Sequence, residues 1–574
     1  MRRTVLGYIR PYAWRMTGGI VVKMSAALAE LAIPWILSYM IDTVIPTRDV
    51  RTVVLWGSVM IVCSLGVWVG NILANRMANA VSRDVVRTLR HDLFARISYL
   101  SSCQVDRFTV SSLISRMTSD TYTLHQTIGM AQRMGVRAPI LLLGGIAVTL
   151  TLDPVLTLVM LCTLPVGAAA AFVVSRRGVR LYRSVQRRAD HMFTVVRENI
   201  TGARVIKALS KEPYEIDRFD GTNKDLTQAE FTASKTMAVI DPIVTITLNL
   251  GLVLVVIVGA FRVNAGMTEI GKIVAFLNYF TIILQSLMAI TRIFTNVSRA
   301  VASGARVEEV LNTEEELYEK TSRYQEPKPQ APAVEFDHVD FSYDTGGFGL
   351  HDITFTVKKG ETLGIIGATG SGKTTVVQAL LRFYDVKKGQ VRINGIDVKE
   401  YSSRELRDLF GVVFQNDVLF QDTIAENIDF GRGLSEEELW QACSWAQADE
   451  FVREAGGLSA PVAIQGANLS GGQRQRLLLA RALAAKPAIL LLDDSSSALD
   501  YRTDAALRRA IRENLPGTTK IIVAQRISSV MHAEQIAVLE NGKIVALGRH
   551  EELLQNCPLY QAISRSQLGG GMNG

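Results

Sequence analysis

At 574 residues, 48% of them hydrophobic and 20% charged, the chain is too long for one ordinary soluble domain and too charged for a bare membrane bundle, so its average covers two unlike halves. The net charge of +7, with no basic run interleaved with aromatics, fits basic residues at a cytoplasmic membrane surface and argues against nucleic acid as a partner. Five dispersed cysteines, Cys63, Cys103, Cys162, Cys443 and Cys557, with no CxxC pair, argue against a disulfide framework and a zinc site.

The start, Met1-Arg2-Arg3, leads into mixed sequence and then into an apolar stretch too long for a signal-peptide core. Six apolar stretches follow, near Met16–Ile41, Val53–Leu73, Gly135–Thr151, Pro154–Val174, Pro242–Val263 and Ile273–Ile293. Each is close to the ~20 residues that a helix needs to cross a bilayer core. Short turns at Pro46-Thr47-Arg48 and at Asp153-Pro154 join the first to the second and the third to the fourth.

The connections after the second and fourth spans are each roughly 60 residues long, too long for structureless loops in a compact protein. Strong helix formers and few breakers predict pairs of helical arms continuing the membrane helices, reaching ~40 Å for some 25 residues. Arg83, Arg87, Arg90, Arg96, Arg183, Arg187 and Arg188 place these arms on the cytoplasmic side. Lys23 and Glu30, seven residues apart, share one helix face of the first span. Together with Arg137 and Arg292 they are intramembrane charges, which mark a cavity or pathway unless they snorkel or pair with one another. Beyond a Pro-rich linker at Glu326-Pro327-Lys328-Pro329-Gln330-Ala331-Pro332, β-rich runs (Val334–Phe341, Thr362–Ile366, Ile489–Leu492, Ile521–Ala524) alternate with helical segments in the rhythm of an α/β domain. The expected boundaries are a six-span helical membrane domain at 1–320, a linker at 321–333 and an α/β P-loop ATPase domain at 334–574.

The chemistry concentrates in that second domain. Gly367-Ala-Thr369-Gly370-Ser371-Gly372-Lys373-Thr374 follows an apolar strand and opens a helix at Thr375, the context that makes G-x-x-x-x-G-K-[ST] a phosphate cradle. Its glycines let backbone N–H groups converge on phosphates, Lys373 reaches the β- and γ-phosphates, and Thr374 can ligate Mg²⁺. Ile489–Leu492 is an apolar strand ending in Asp493, a carboxylate placed to hold Mg²⁺. Leu469-Ser470-Gly471-Gly472-Gln473 opens another helix and forms a second anion site.

In this order, Gly367–Thr374, Gln415, Leu469–Gln473, Asp493 and Ser497–Asp500, the chain resembles the ABC transporter family along its whole length, with an exporter-type membrane domain in front. The resemblance implies ATP and Mg²⁺ as cofactors, with Thr374, Gln415 and Asp493 as metal ligands and Gln415 also in the catalytic set. It also implies adenine stacking on Tyr343 and two intracellular turns, one from Asp106 to Asp120 and one from Glu212 to Phe219, with short helices near Phe108 and Glu215. Two such chains would pair, each ATP being clamped between one chain's Walker A and the other's signature. Clamping would turn the membrane halves outward, because ATP binds the closed state better.

Three departures from the family pattern stand out. Asp494 occupies the place of a glutamate that positions the attacking water, one methylene further back; a misplacement of about 1 Å can cost ~10²-fold. Gln525 replaces the switch histidine and cannot become a cation. Ile464-Gln465-Gly466 stands where Glu-Arg-Gly is common. With Leu469–Gln473 intact, the chain resembles the degenerate-site subunit of heterodimeric bacterial multidrug exporters. The expected partner is a different half-transporter carrying the catalytic Glu and switch His. The expected surroundings are membrane lipids, with a small amphiphilic substrate and an inner-membrane location, N-terminus and ATPase domain in the cytoplasm. A slow homodimer exporting lipid or peptide, and an ATP-gated channel of the same architecture, are the alternatives.

Overall fold

The computed structural model describes residues 4–314, 330–343, 349–495 and 499–568. Two compact units result: Met1–Tyr99 with Val110–Thr313, and Leu100–Thr109 with Glu314–Gly574. The segment 100–109 thus groups with the C-terminal unit, which the linear reading did not contain. Most of the expected linker, up to residue 329, lies outside the described residues, as do residues 496–498 and with them the start of the Ser497–Asp500 motif.

The first unit is helical: α1 Val5–Ile9, α2 Ala13–Tyr39, α3 Val50–Ser98, then, after α4 Ser102–Phe108, α5 Val110–Ser115, α6 Thr121–Leu152, α7 Pro154–Thr201, α8 Ala203–Ala208, α9 Glu212–Ala238, α10 Ile240–Asn264 and α11 Ile270–Leu311. Among the described residues, five helical stretches are long and apolar enough to cross a membrane: Val5–Thr47, Val50–Ser98, Val110–Leu152, Thr245–Asn264 and Ile270–Leu311. The remaining expected span, Pro154–Val174, lies on the continuous helix α7, whose described apolar part is Pro154–Thr163.

The turns between spans are built by their polar residues. Arg48 takes a left-handed conformation (φ 56°) and Asp49 caps α3, accepting a hydrogen bond from the Arg51 N–H at 3.0 Å. Asp153 caps α7 by accepting from the N–H groups of Val155 and Leu156, and its other oxygen accepts from Arg262 Nε at 3.0 Å. Pro154 fits the first turn because its missing N–H would be unpaired there anyway.

The long arms form as expected, since α3, α7 and α9 run on for 49, 48 and 27 residues. At their tips a short helix does end at Phe108, while the extents of both turns and the place of the second short helix need correction. The first short helix is Ser102–Phe108, closed by a capping box between Ser101 and Gln104. Leu113–Asp120 already belongs to the returning arm, as α5 and a π-turn. The second short helix is Ala203–Ala208, set between Gly202 and Lys211. Glu212–Phe219 starts the return helix instead, because Pro213 and the acidic Glu212 and Glu215 make a good first turn.

Helix packing in this unit depends on small residues. A Cβ on Gly144 would lie 2.6 Å from Leu31 Cδ1, and one on Gly145 2.9 Å from Ile283 Cγ1. Close approach of this kind replaces the hydrophobic driving force that lipid does not supply. Gly145→Val is expected to cost about 1–3 kcal/mol by overpacking, read as a lower thermal midpoint of the protein in detergent with its helix content unchanged.

Among its described residues the second unit carries twelve strands: β1 Val334–Ser342, β2 Gly349–Val357, β3 Thr362–Gly367, β4 Lys388–Ile393, β5 Ile396–Asp397, β6 Phe410–Val413, β7 Asp422–Thr423, β8 Pro461–Val462, β9 Ile489–Asp493, β10 Thr519–Ala524, β11 Gln535–Glu540 and β12 Lys543–Gly548. The main sheet has the order β12-β11-β3-β10-β9-β6, with β11, β3, β10, β9 and β6 parallel. Its central strands are near-continuous apolar runs, as both-face burial demands: all five residues of β9 are buried. A second, antiparallel sheet has the order β2-β1-β4-β5.

Candidate nucleotide-binding site

Open parallel sheets place ligands beyond the carboxyl ends of their strands, and here β3, β9 and β10 end side by side. The register pairs Val523 with Asp493 and Ala524 with Ile366. Three otherwise distant segments therefore meet: the glycine loop after β3, Asp493-Asp494 after β9, and Gln525 after β10.

The loop runs from Gly367 into α12, Lys373–Leu380. A Cβ at Gly367 would fall 2.2 Å from the Leu539 carbonyl oxygen, so only glycine fits there. Gly370 and Gly372 have φ of +81° and +103°, in the left-handed region that favours glycine. Lys373 is buried, and its ammonium donates to the carbonyl oxygens of Gly367 at 2.9 Å and Ala368 at 2.8 Å. Burial holds its pKa below the usual lysine range, against the opposing pull of Asp493 and Asp494.

Asp493 is buried, and its pKa is pushed up by that burial, opposed by a hydrogen bond from Thr374. Asp493 Oδ2 and Ser371 Oγ are both buried without a hydrogen-bond partner among the described residues. Orphaned polar atoms of this kind are rare in a finished structure. Facing a phosphate cradle, an orphan carboxylate oxygen and an orphan hydroxyl fit a divalent cation and a phosphate oxygen. Tyr343, Thr369, Gly370, Gly372, Lys373, Thr374, Thr375, Gln415, Asp493, Asp494 and Gln525 line one cleft of ≈ 230 Å³. The Tyr343 hydroxyl donates to Gln378 Oε1 at 2.6 Å, and its ring meets those of Phe341 and Tyr384 edge-on.

The two replaced positions touch. Gln525 Nε2 donates to Asp494 Oδ2 at 3.1 Å. Asp494 has a left-handed backbone (φ 50°), its carbonyl accepts from Gln475 Nε2 at 3.3 Å, and burial raises its pKa, opposed by Lys373 and Arg526. Behind Gln525, its carbonyl accepts from Gln567 Nε2 at 2.8 Å. Spacing could not have revealed Gln475, Gln567 or Gln378, because each acts only through the tertiary fold.

Leu469–Gln473 does not line this cleft. Ser470 is the N-cap of the helix Gly471–Ala484 and forms a capping box with Gln473, its Oγ accepting from the Gln473 N–H at 3.2 Å. Ser470, Gly471 and Asp500 are exposed, Gly472 and Gln473 are half-buried, and Asp500 caps Tyr501–Asn514. Gln465, in the third departure, has φ +57° on the turn Ile464–Gly466. One further contact escaped the sequence: Tyr384 Oη donates to Asp106 Oδ2 of α4 at 2.6 Å. Burial first, and then this hydrogen bond, push the Tyr384 pKa up.

The geometry agrees with the relatives of the chain. The family profile "ABC transporter transmembrane region" matches residues 16–287, and "ABC transporter" matches residues 350–497. The ABC transporter ATP-binding protein Rv1273c of Mycobacterium tuberculosis is 34% identical over 98% of this chain and 97% of its own length. YfiB of Bacillus subtilis, a protein of the same description, is 35% identical over 98% of both chains. A bacterial Atm1-family ABC exporter solved with ATP bound is 23% identical, with a TM-score of 0.82 over 98% of this chain and 99% of that one, and shares the fold. The chain belongs to the ABC transporter family, with the transmembrane region and the ATP-binding domain fused in one polypeptide. It is accordingly a multi-pass membrane protein of ATP-driven transport.

Proposed function

We propose that this chain is one half of a heterodimeric exporter that moves amphiphilic small molecules out across the cell membrane, with a degenerate ATP site of its own. The hydrogen bond between Gln525 and Asp494 carries this reading. A neutral amide occupies the carboxylate that would otherwise align water, and neither side chain reaches as a Glu–His pair would. The intact signature Leu469–Gln473 then completes the active site on the partner, a half-transporter with its own catalytic Glu and switch His. The proposed domains are 1–320 and 334–574, with the ATPase domain in the cytoplasm.

In this chain's site, Gly367, Thr369, Gly370, Ser371, Gly372 and Thr375 would cradle the phosphates, and Lys373 would bridge to the outer ones. Thr374, Gln415 and Asp493 would hold Mg²⁺, which when bound neutralises charge on the β- and γ-phosphates. Tyr343 would stack on adenine. Its contacts then connect nucleotide occupancy to Tyr384 and through it to Asp106 on α4.

The reading is tested by photolabelling the working transporter with azido-ATP carrying label on either the α- or the γ-phosphate. This chain is expected to keep both labels after many turnovers, while the partner site keeps only the α-label. Loss of the γ-label from both subunits at one rate would contradict a degenerate site. Stacking makes a separate prediction: Tyr343→Ala weakens nucleotide binding about tenfold at most, while Tyr343→Phe, which keeps the ring and loses only the hydroxyl's bonds with Gln378 and Thr375, stays within about twofold. Equilibrium titration with a fluorescent ATP analogue measures both.

A further inference from the structure

The helices α2, α3 and α6 of the membrane unit bring four charged side chains together. Lys23 is 4% exposed, and its ammonium donates to Asn71 Oδ1 at 2.6 Å and Asn75 Oδ1 at 3.3 Å. Arg133 donates through Nη1 to Asn79 Oδ1 at 3.1 Å and through Nε to the Gly129 carbonyl. Arg137 pairs with Glu30 through Nε at 3.0 Å and Nη2 at 2.5 Å. Arg137, Glu30 and Arg133 all act electrostatically on Lys23. Of the readings left open for these intramembrane charges, mutual pairing holds for Glu30 and Arg137, whereas Lys23 bonds to asparagine oxygens.

The cluster holds three cations against one carboxylate. Asparagine oxygens solvate a cation but do not neutralise it, and excess charge inside a membrane helix bundle is costly. Arg133 and Arg137 stand at i and i+4 on α6, a spacing at which like charges repel. Among the described residues, Arg133 Nη2 and Arg137 Nη1 have no hydrogen-bond partner, and the Arg137 side chain is 42% exposed. Guanidinium edges of this kind match phosphate and carboxylate. Asn71, Asn75 and Asn79 form a stripe at four-residue steps on α3. The stripe starts inside the apolar run that ends at Leu73 and continues into the polar arm, so it stands at the end of that run and not in its middle.

We propose that Lys23, Arg133 and Arg137 bind the acidic head group, phosphate or carboxylate, of the amphiphile that this transporter moves. The proposal rests on the amphiphile-export reading and narrows its substrate class from amphiphiles in general to anionic ones.

The test uses the assembled transporter in nanodiscs of neutral phosphatidylcholine, with two probes of equal acyl chain, lysophosphatidic acid and lysophosphatidylcholine. The acidic probe is expected to bind at least tenfold more tightly, and inorganic phosphate is expected not to compete. In Arg133→Gln, and in the double variant Glu30→Gln with Arg137→Gln, which keeps a neutral hydrogen-bonding pair, that preference is expected to fall to about onefold. Binding of the neutral probe should change less than twofold, which separates head-group recognition from misfolding. Equal affinities in the unmodified protein, a preference that the variants leave intact, or competition by inorganic phosphate would overturn the proposal. If both probes bind and are exported equally, only the head-group site falls. If neither binds, the amphiphile reading falls with it.

Discussion

Replacing Asp494 by Glu and Gln525 by His together is expected to raise ATP hydrolysis at this chain's site by about tenfold or more. Each change alone should do much less. With Asp494→Glu, the Gln525 amide still occupies the longer carboxylate; with Gln525→His, the carboxylate remains one methylene short. Residues in direct contact, as these are at 3.1 Å, show interaction energies that single substitutions miss. The readouts are phosphate release by the assembled transporter and retention of the γ-label on this chain. A double variant whose turnover and label retention match the unmodified protein would remove the physical basis of the degenerate site.

Lys373→Ala is expected to weaken ATP binding by this chain by about 30-fold or more, the worth of one charge-assisted hydrogen bond to a phosphate. The ammonium is already delivered to the loop, held at 2.9 and 2.8 Å by the Gly367 and Ala368 carbonyls. An arriving phosphate needs only to take over a partner, so the site loses little entropy on loading. Titration with a fluorescent ATP analogue measures the loss, and an affinity within threefold of the unmodified chain would contradict the placement of Lys373 on the phosphates. A degenerate site should bind ATP through Lys373 while failing to cleave it through Asp494.

What the sequence made legible was whatever local chemistry forces. The glycine loop could be read because Gly370 and Gly372 need φ values that other residues resist. The strand ending at Asp493 could be read because a strand buried on both faces must be apolar throughout. The helical arms could be read from helix formers without breakers. The second short helix lies at Ala203–Ala208 and not near Glu215, because resemblance along the chain does not register that Pro213 is at home in the first turn of the return helix. The touching of Gln525 and Asp494 needed β9 beside β10, which spacing along the chain does not give. The bond from Tyr384 to Asp106 spans 278 residues and lies wholly in tertiary structure.

Native mass spectrometry of the tagged transporter, purified from its own membrane in mild detergent, distinguishes a heterodimer from a homodimer. The expected mass is that of this 63.1 kDa chain with one different subunit of similar size. A complex of twice this chain's mass would contradict it, since both ATP sites would then carry Asp494 and Gln525.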